Sequence, residues 1–292
     1  MSGLSLPAIG FGGSPLRGGR IVDLTAAAAA ARDLGYRLFD TAEAYGTERM
    51  FGAVLRGCND AAVVSKVWQT NHAPAHVRAA CEGSLRRLGR EALELYLVHA
   101  PAAWAHRGPL EVVATSHEEL ERQLTPRDTT GAVATAPVPL AETWRAMLDL
   151  RRRGLVRAVG LANVGIDELE GLQRAGLELP AAAQVEIHPL RPAGALVEHC
   201  RRLGILVMAQ SPLQGGAILA DPRLADLART SGRSPARLVL AWHRARGVVP
   251  IVGSQVAAHL GENMAAVADV LAAELVEAVD RLGQPPASTD DA

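Results

Sequence analysis

Residues 23–40, DLTAAAAAARDLGYRLFD, hold one full helix-to-strand unit. The first half is a run of alanines. Asp23 opens it as a residue type that caps helix N-termini, and Gly35 stops it by tolerating the left-handed backbone that ends helices. The second half, 36–40, is a short apolar run closed by the carboxylate of Asp40. A continuous apolar run, as opposed to an alternating one, marks a strand covered on both faces, as in a parallel sheet. The stretch predicts helix, turn and buried parallel strand.

The same unit recurs on either side. Further helices are predicted over 47–55, 75–88, 140–153, 166–175, 194–203, 223–230, 235–246 and within 257–282. Strands are predicted at 8–12, 36–40, 61–67, 95–99, 156–161, 182–187, 205–209 and 247–252. Eight strands, each tied to a helix, in 292 residues predict an α/β chain that forms a single-domain (β/α)8 TIM barrel over 1–282. An open doubly wound sheet is the alternative. Its phosphate-loop fingerprints are missing: Gly10-Phe11-Gly12-Gly13 lacks the downstream glycine of GxGxxG, and no GK[ST] occurs. Two stretches break the period. Segment 102–139 carries Gly108, Pro109, Pro126, Gly131, Pro137 and Pro139, and only 110–124 looks helical. It follows the fourth strand, on the face where barrel sites lie, and reads either as a loop covering substrate or as a disordered insertion. The tail 283–292, GQPPASTDDA, is expected to be a flexible end.

Composition narrows the function classes. Apolar residues make up 49% and charged residues 21%, which excludes global disorder. The 30 basic and 31 acidic side chains nearly cancel and form no basic stripe, so no nucleic-acid partner is expected. No apolar run is long enough for a membrane span, and residues 1–15 lack a secretory leader. Cys58, Cys81 and Cys200 are widely spaced, as buried thiols of a reducing compartment are. A cytoplasmic protein is expected, monomeric or a small homo-oligomer, without a membrane partner.

Barrel chemistry collects at the C-terminal ends of strands. Those positions hold Asp40, Lys66, His99, Asn163, Gln184 with Glu186 and His188, Ser211, and Ser254. A polar group at every strand end from the second to the eighth exceeds what solvating the ends requires. The blander reading makes Asp40 and Lys66 an ion pair closing the barrel and His99 a satisfied core histidine.

The stretches Gly35 to Gly46, Val64 to Trp68 (VSKVW), Leu95 to Pro101 (LYLVHAP) and Gln184 to Pro189 (QVEIHP) resemble the aldo-keto reductase superfamily in order and spacing. The later Ala209 to Leu213 (AQSPL) and the pair Glu262-Asn263 resemble further motifs of that family. The resemblance implies reduction of an aldehyde or ketone by an NAD(P)H-dependent enzyme, with Asp40, Tyr45, Lys66 and His99 as catalytic residues. Carbonyl reduction needs a proton at the nascent alkoxide, and a phenol with an ordinary pKa near ~10 is a poor acid unless a cation lies beside it. Lys66 would supply that cation, Asp40 would hold Lys66, and His99 would orient the carbonyl. His99 stands where relatives that reduce conjugated C=C bonds carry Glu, which favours C=O reduction.

For the cofactor, the resemblance implies a carboxamide clamp of Asn163 and Gln184, with Ala162 where the family commonly has Ser. Gln210 stands in the place of a stacking aromatic, and Ser211, Leu213 and the glycines after them would loop over the pyrophosphate. Gly13 lies at the first strand end. Gly253 and His259 occupy the places of the Lys and Arg that hold the 2′-phosphate, leaving Ser254, Glu262 and Asn263 for phosphate and adenine. NADP(H) is expected ahead of NAD(H). Trp68 and Trp104 are expected to wall a pocket for a small carbonyl substrate. His72, His76, His106, His117 and His199 read as surface or loop histidines, and Trp144 and Trp242 as helix packing. Two other classes remain: a metal-dependent barrel hydrolase using Asp40, His99, Glu186 and His188, and a weakly active cofactor-binding partner protein. No metal is expected.

Overall fold

Side-chain alternation along eight short strands decides what fills the centre of the molecule. The computed structural model describes residues 4–283; residues 1–3 and 284–292, which include all of the expected tail except Gly283, lie outside the described residues. The strands are β1 (Gly10–Gly12), β2 (Leu38–Asp40), β3 (Ala62–Val67), β4 (Leu93–Val98), β5 (Val156–Ala162), β6 (Ala182–Glu186), β7 (Leu206–Gln210) and β8 (Val248–Val252). They form one closed parallel barrel in which β1 pairs with both β8 and β2. Around it run α1 (Thr25–Asp33), α2 (Glu48–Val54), α3 (Pro74–Leu88), α4 (His117–Leu124), α5 (Leu140–Arg152), α6 (Ile166–Arg174), α7 (Gly194–Leu203), α8 (Pro222–Thr230), α9 (Pro235–Ala245), α10 (Ala257–Ala265) and α11 (Ala273–Asp280).

Leu38, Val64, Leu95, Leu97, Ala158, Met208, Val249 and Ile251 form the inner core, while Phe39, Val63, Tyr96, Val159 and Val207 pack outward among the helices, with Trp144 and Trp242 fully buried. Successive strand residues face opposite ways. The same parity, carried to the strands' C-terminal ends, gives inner positions to Asp40, Lys66, Gln184 and Gln210. Burial of one leucine is worth roughly 1.5–3 kcal/mol, so a one-residue slip of β4 would lose Leu95 and Leu97 from the interior. The apolar pattern thereby holds the polar strand ends in place.

Several boundaries differ from the sequence reading. The fourth strand begins at Leu93 and stops at Val98. The helical stretch expected at 110–124 shortens to α4, which starts only where the Ser116 Oγ accepts the Glu119 N–H at 3.2 Å. The helices expected within 257–282 are α10 and α11, joined by a 3-10 turn, Ala266–Ala268, and the non-helical residues 269–272. A small hairpin, Leu16–Arg17 paired with Arg20–Ile21, turns on Gly18 and Gly19, both at positive φ; nothing in the strand pattern announced it. Segment 102–139 carries α4 and two antiparallel bridges, Trp104–Thr135 and Arg127–Val133. Of the histidines expected at the surface or in loops, His72 ends the turn after β3 yet is buried, 1% exposed, and burial depresses its pKa to about 4. No helix among the described residues is long and apolar enough to cross a membrane.

Candidate active site

At the top of β2 and β3, inward parity brings Asp40 and Lys66 together. Lys66 Nζ donates to Asp40 Oδ1 at 2.5 Å and to the Thr41 carbonyl at 2.9 Å, and Gln184 Nε2 from β6 donates to Asp40 Oδ2 at 2.7 Å. Lys66 has no exposed surface and Asp40 has 4%. Burial pulls the Lys66 pKa down, but Asp40 and Tyr45 outweigh it and leave the ammonium more firmly protonated than an ordinary lysine. Lys66 also hydrogen-bonds the Tyr45 side chain, with Nζ 5.1 Å from the ring centroid.

Tyr45 closes a 3-10 turn, Glu43–Tyr45, that ends at Gly46 with φ of 68°. A Cβ at Gly46 would stand 3.0 Å from the Val112 carbonyl of the long segment, so backbone conformation and close approach both require glycine there. Gly13 is required by close approach alone: a Cβ would stand 2.2 Å from the Phe51 ring and 3.0 Å from the Asp40 carbonyl.

His99 follows β4 with its ring edge-on to Tyr45 (centroids 5.5 Å apart) and to Trp68 (4.8 Å). Burial, and then the Lys66 charge, hold its pKa well below the ordinary histidine value, so the ring is neutral. Its Nδ1 is buried without a partner. A buried orphan acceptor is better tolerated than an orphan N–H, which favours the proton on Nε2. Trp104 stands edge-on to Trp68 at 5.5 Å, and the Trp68 indole donates to the Leu124 carbonyl at 2.9 Å. The long segment is thus fastened to Trp68, which stands beside His99; Trp68, Trp104 and His99 are not among the residues that line the cleft at Asp40 and Tyr45.

A cleft of about 660 Å³ runs from Asp40 and Tyr45 outward. Of the expected cofactor residues, Gln184, Gln210, Ser211, Leu213, Gly253, Ser254, His259, Glu262 and Asn263 all line it. Gly13 and Asn163 stand beside it. The Gly13 N–H donates to the Asp40 carbonyl at 2.7 Å, and its own carbonyl accepts from Thr47 Oγ1 at 2.9 Å. Asn163, at φ of 53°, donates to the His99 carbonyl at 2.7 Å and accepts from Gln210 Nε2 at 2.6 Å. Gln210 is therefore a hydrogen-bonding partner of Asn163. Ser211, Gln214, Gly215 and Gly216 all have positive φ, a backbone form that turns N–H groups toward one side. Among the described lining residues no lysine or arginine occurs; His259, 3.5 Å from Ser254 Oγ, stands near Glu262 on the same helix.

Sequence reasoning gave no role to Glu43, Glu48 or Asn71, all buried here. Glu43 and Glu48 lie within or beside the Asp40–Tyr45 stretch, in a polar context that did not single them out. Asn71 offered none. The metal-hydrolase alternative lacks support. Asp40 is committed to Lys66 and Gln184, and among the described residues no group of three or more His, Cys, Asp or Glu is arranged to hold a metal ion.

A closed parallel barrel with a cleft at its C-terminal face is an architecture shared by many enzymes, and comparison with known proteins places this chain among them. It belongs to the aldo/keto reductase family, whose model matches residues 8–284, and is an oxidoreductase. Aldo-keto reductase family 1 member A1-A of Danio rerio is 32% identical over 282 residues, covering 90% of this chain and 82% of that protein. Glycerol 2-dehydrogenase (NADP(+)) of Saccharomyces cerevisiae is 34% identical over 223 residues, covering 74% and 69%. Among solved structures, the aldose reductase of Giardia lamblia superposes with a TM-score of 0.82 at 30% identity, covering 95% of this chain and 92% of that one.

Proposed function

We propose that the protein reduces a small aldehyde or ketone to an alcohol with NADP(H) or NAD(H), Tyr45 delivering the proton. The observation that carries this reading is the buried Asp40–Lys66 pair in contact with Tyr45 at the inner end of the cleft. The bound nicotinamide supplies the hydride. The chain supplies the rest. As negative charge develops on the substrate oxygen, Tyr45 transfers its phenolic proton there, and the Lys66 ammonium stabilises the phenolate left behind. Asp40 fixes Lys66 and, through Gln184, is held from its second oxygen. Neutral His99 donates from Nε2 to the carbonyl oxygen and sets its angle. A charged imidazolium would compete with Tyr45 as acid, so its depressed pKa suits an orienting role.

The cleft fits a nicotinamide dinucleotide on the chemistry of its donors: amides of Gln184 and Asn163 at the inner end, the positive-φ turn at 211–216 in the middle, and Ser254, Glu262 and Asn263 at the outer end. Absence of lysine and arginine from the described lining keeps NAD(H) beside NADP(H) as cofactor. A cytoplasmic location suits the three unpaired cysteines, two of them deeply buried. Loss of nicotinamide absorbance with a panel of aldehydes and ketones, under each cofactor in turn, tests the reading. Turnover with at least one carbonyl is expected; cofactor binding without turnover of any would instead favour the partner-protein class.

A further inference from the structure

We propose that Glu43 is a positioning residue: one buried carboxylate that ties the turn carrying Tyr45 to the strand exit carrying Trp68 and the segment carrying Trp104, and so sets the shape of the substrate wall. The inference rests on the proposed function, with Tyr45 and His99 as the reacting end of the site and Trp68 and Trp104 beside them as the substrate wall.

Glu43 is 4% exposed. Its Oε1 accepts the Trp68 backbone N–H at 2.5 Å and Asn71 Nδ2 at 3.0 Å. Asn71 in turn accepts through Oδ1 from His106 Nδ1 at 3.0 Å, and the same ring nitrogen lies 3.0 Å from the Thr70 carbonyl. Both of those partners are acceptors, so the His106 proton sits on Nδ1, and Asn71 is oriented with its amide N–H toward Glu43. Alongside, the Trp104 N–H donates to the Gln69 carbonyl at 2.9 Å and Gln69 Nε2 to the Ala102 carbonyl at 3.2 Å. Residues 69–71 are thus laced to 102–106, which pair onward with 134–136. The root of this lacing is the carboxylate two residues before Tyr45.

Among the described residues no ion pair holds Glu43, and its one bond to the barrel backbone is to the N–H just past β3. Around it stand Glu48 of α2, Arg87 and Cys81 of α3, and Tyr96 of β4. Arg87 is already engaged with Glu48 at 2.6 Å, and Ser65 donates to the other Glu48 oxygen. Burial, with a smaller push from Glu48, outweighs the Trp68 and Asn71 hydrogen bonds and carries the Glu43 pKa up to about 7. A glutamine would satisfy both donors without burying a charge. What the carboxylate adds is strength: bonds to an ionised acceptor are roughly twice as strong as neutral ones. Protonation near neutral pH weakens both bonds together and loosens the wall.

The test compares wild type with Glu43→Gln, which keeps the acceptor and removes the charge. Substrate KM is expected to rise about three- to tenfold in the variant at pH 8, with kcat within twofold and cofactor affinity unchanged. Wild-type KM is expected to fall as pH rises through about 7, and variant KM to stay flat. His106→Ala, at an exposed position, loosens the lacing from its outer end and is expected to raise KM in the same direction by a smaller factor. Hydrogen exchange needs no turnover: amides of Trp68 and Trp104 are expected to exchange faster in Glu43→Gln. Unchanged KM with a wild-type pH profile, a loss confined to kcat, or unchanged exchange at Trp68 and Trp104 would each overturn the proposal. Failure of wild type to reduce any carbonyl counts against the proposed function instead, and the exchange arm still decides this inference.

Discussion

Replacing Lys66 with methionine removes a buried charge and leaves its partner behind. The Lys66 side chain is 0% exposed and that of Asp40 5%, with 2.5 Å between charged atoms. After Lys66→Met, Asp40 keeps only the neutral Gln184 amide on Oδ2, and Oδ1 faces an apolar thioether. Breaking a buried pair from one side costs about 3–5 kcal/mol, because the surviving ion stays desolvated. At roughly 2 °C per kcal/mol for a chain of this size, the melting temperature should fall by about 6–10 °C. Replacing both members with apolar groups of similar volume relieves that strain, so Asp40→Leu with Lys66→Met should be more stable than Lys66→Met alone. Urea unfolding of the wild type, both single variants and the double variant measures the coupling. Both members should also be needed for turnover, so the stable double variant should be inactive. A Lys66→Met cost below about 1 kcal/mol, or single costs that simply add in the double variant, would refute the description of a desolvated, mutually dependent pair.

Gly13→Ala should destabilise by about 1–3 kcal/mol in urea unfolding, since the new methyl overlaps the Phe51 ring. Glu43 binds its proton more tightly folded (about 7) than at its ordinary value of 4.5, so native protein holds the extra proton between those pH values. Stability should therefore decline as pH rises from about 4.5 to about 7 and then level off, and Glu43→Gln should flatten that slope in pH-dependent unfolding. His259→Arg places a permanent charge at the outer end of the cleft and should tighten NADPH more than NADH in equilibrium fluorescence titrations; an equal effect on both would separate His259 from the 2′-phosphate.

The barrel was legible because two properties that fix it are local. Alanine-rich helices stopped by glycine, and short apolar strands such as 36–40 and 95–99, carry their own periodicity, and parity then dictates which strand-end residues point inward. Asp40, Lys66 and Gln184 were picked out as strand-end residues, and strand parity is what turns them inward. Features made by tertiary contact were not legible. The hairpin at Leu16–Ile21 has only two residues per strand, too few for a pattern. His72 has no neighbours in sequence that reveal burial, and the link from Glu43 through Asn71 to His106 joins three loops remote in the chain. Gln210 could be assigned a place at the cleft but not its bond to Asn163, which depends on the left-handed backbone at position 163.

The central claim is that Tyr45 is the proton donor. Tyr45→Phe keeps the ring, its edge contact with His99 and the cleft wall, and removes only the hydroxyl. The decisive measurement is kcat of this variant with the best carbonyl substrate, alongside cofactor affinity from fluorescence titration. General-acid catalysis by a positioned side chain contributes about 10²–10⁴-fold, so kcat should drop at least about a hundredfold while cofactor affinity stays at the wild-type value. Retention of more than about a tenth of wild-type kcat, a barrier change under roughly 1.4 kcal/mol, would contradict the account and assign the proton to another group.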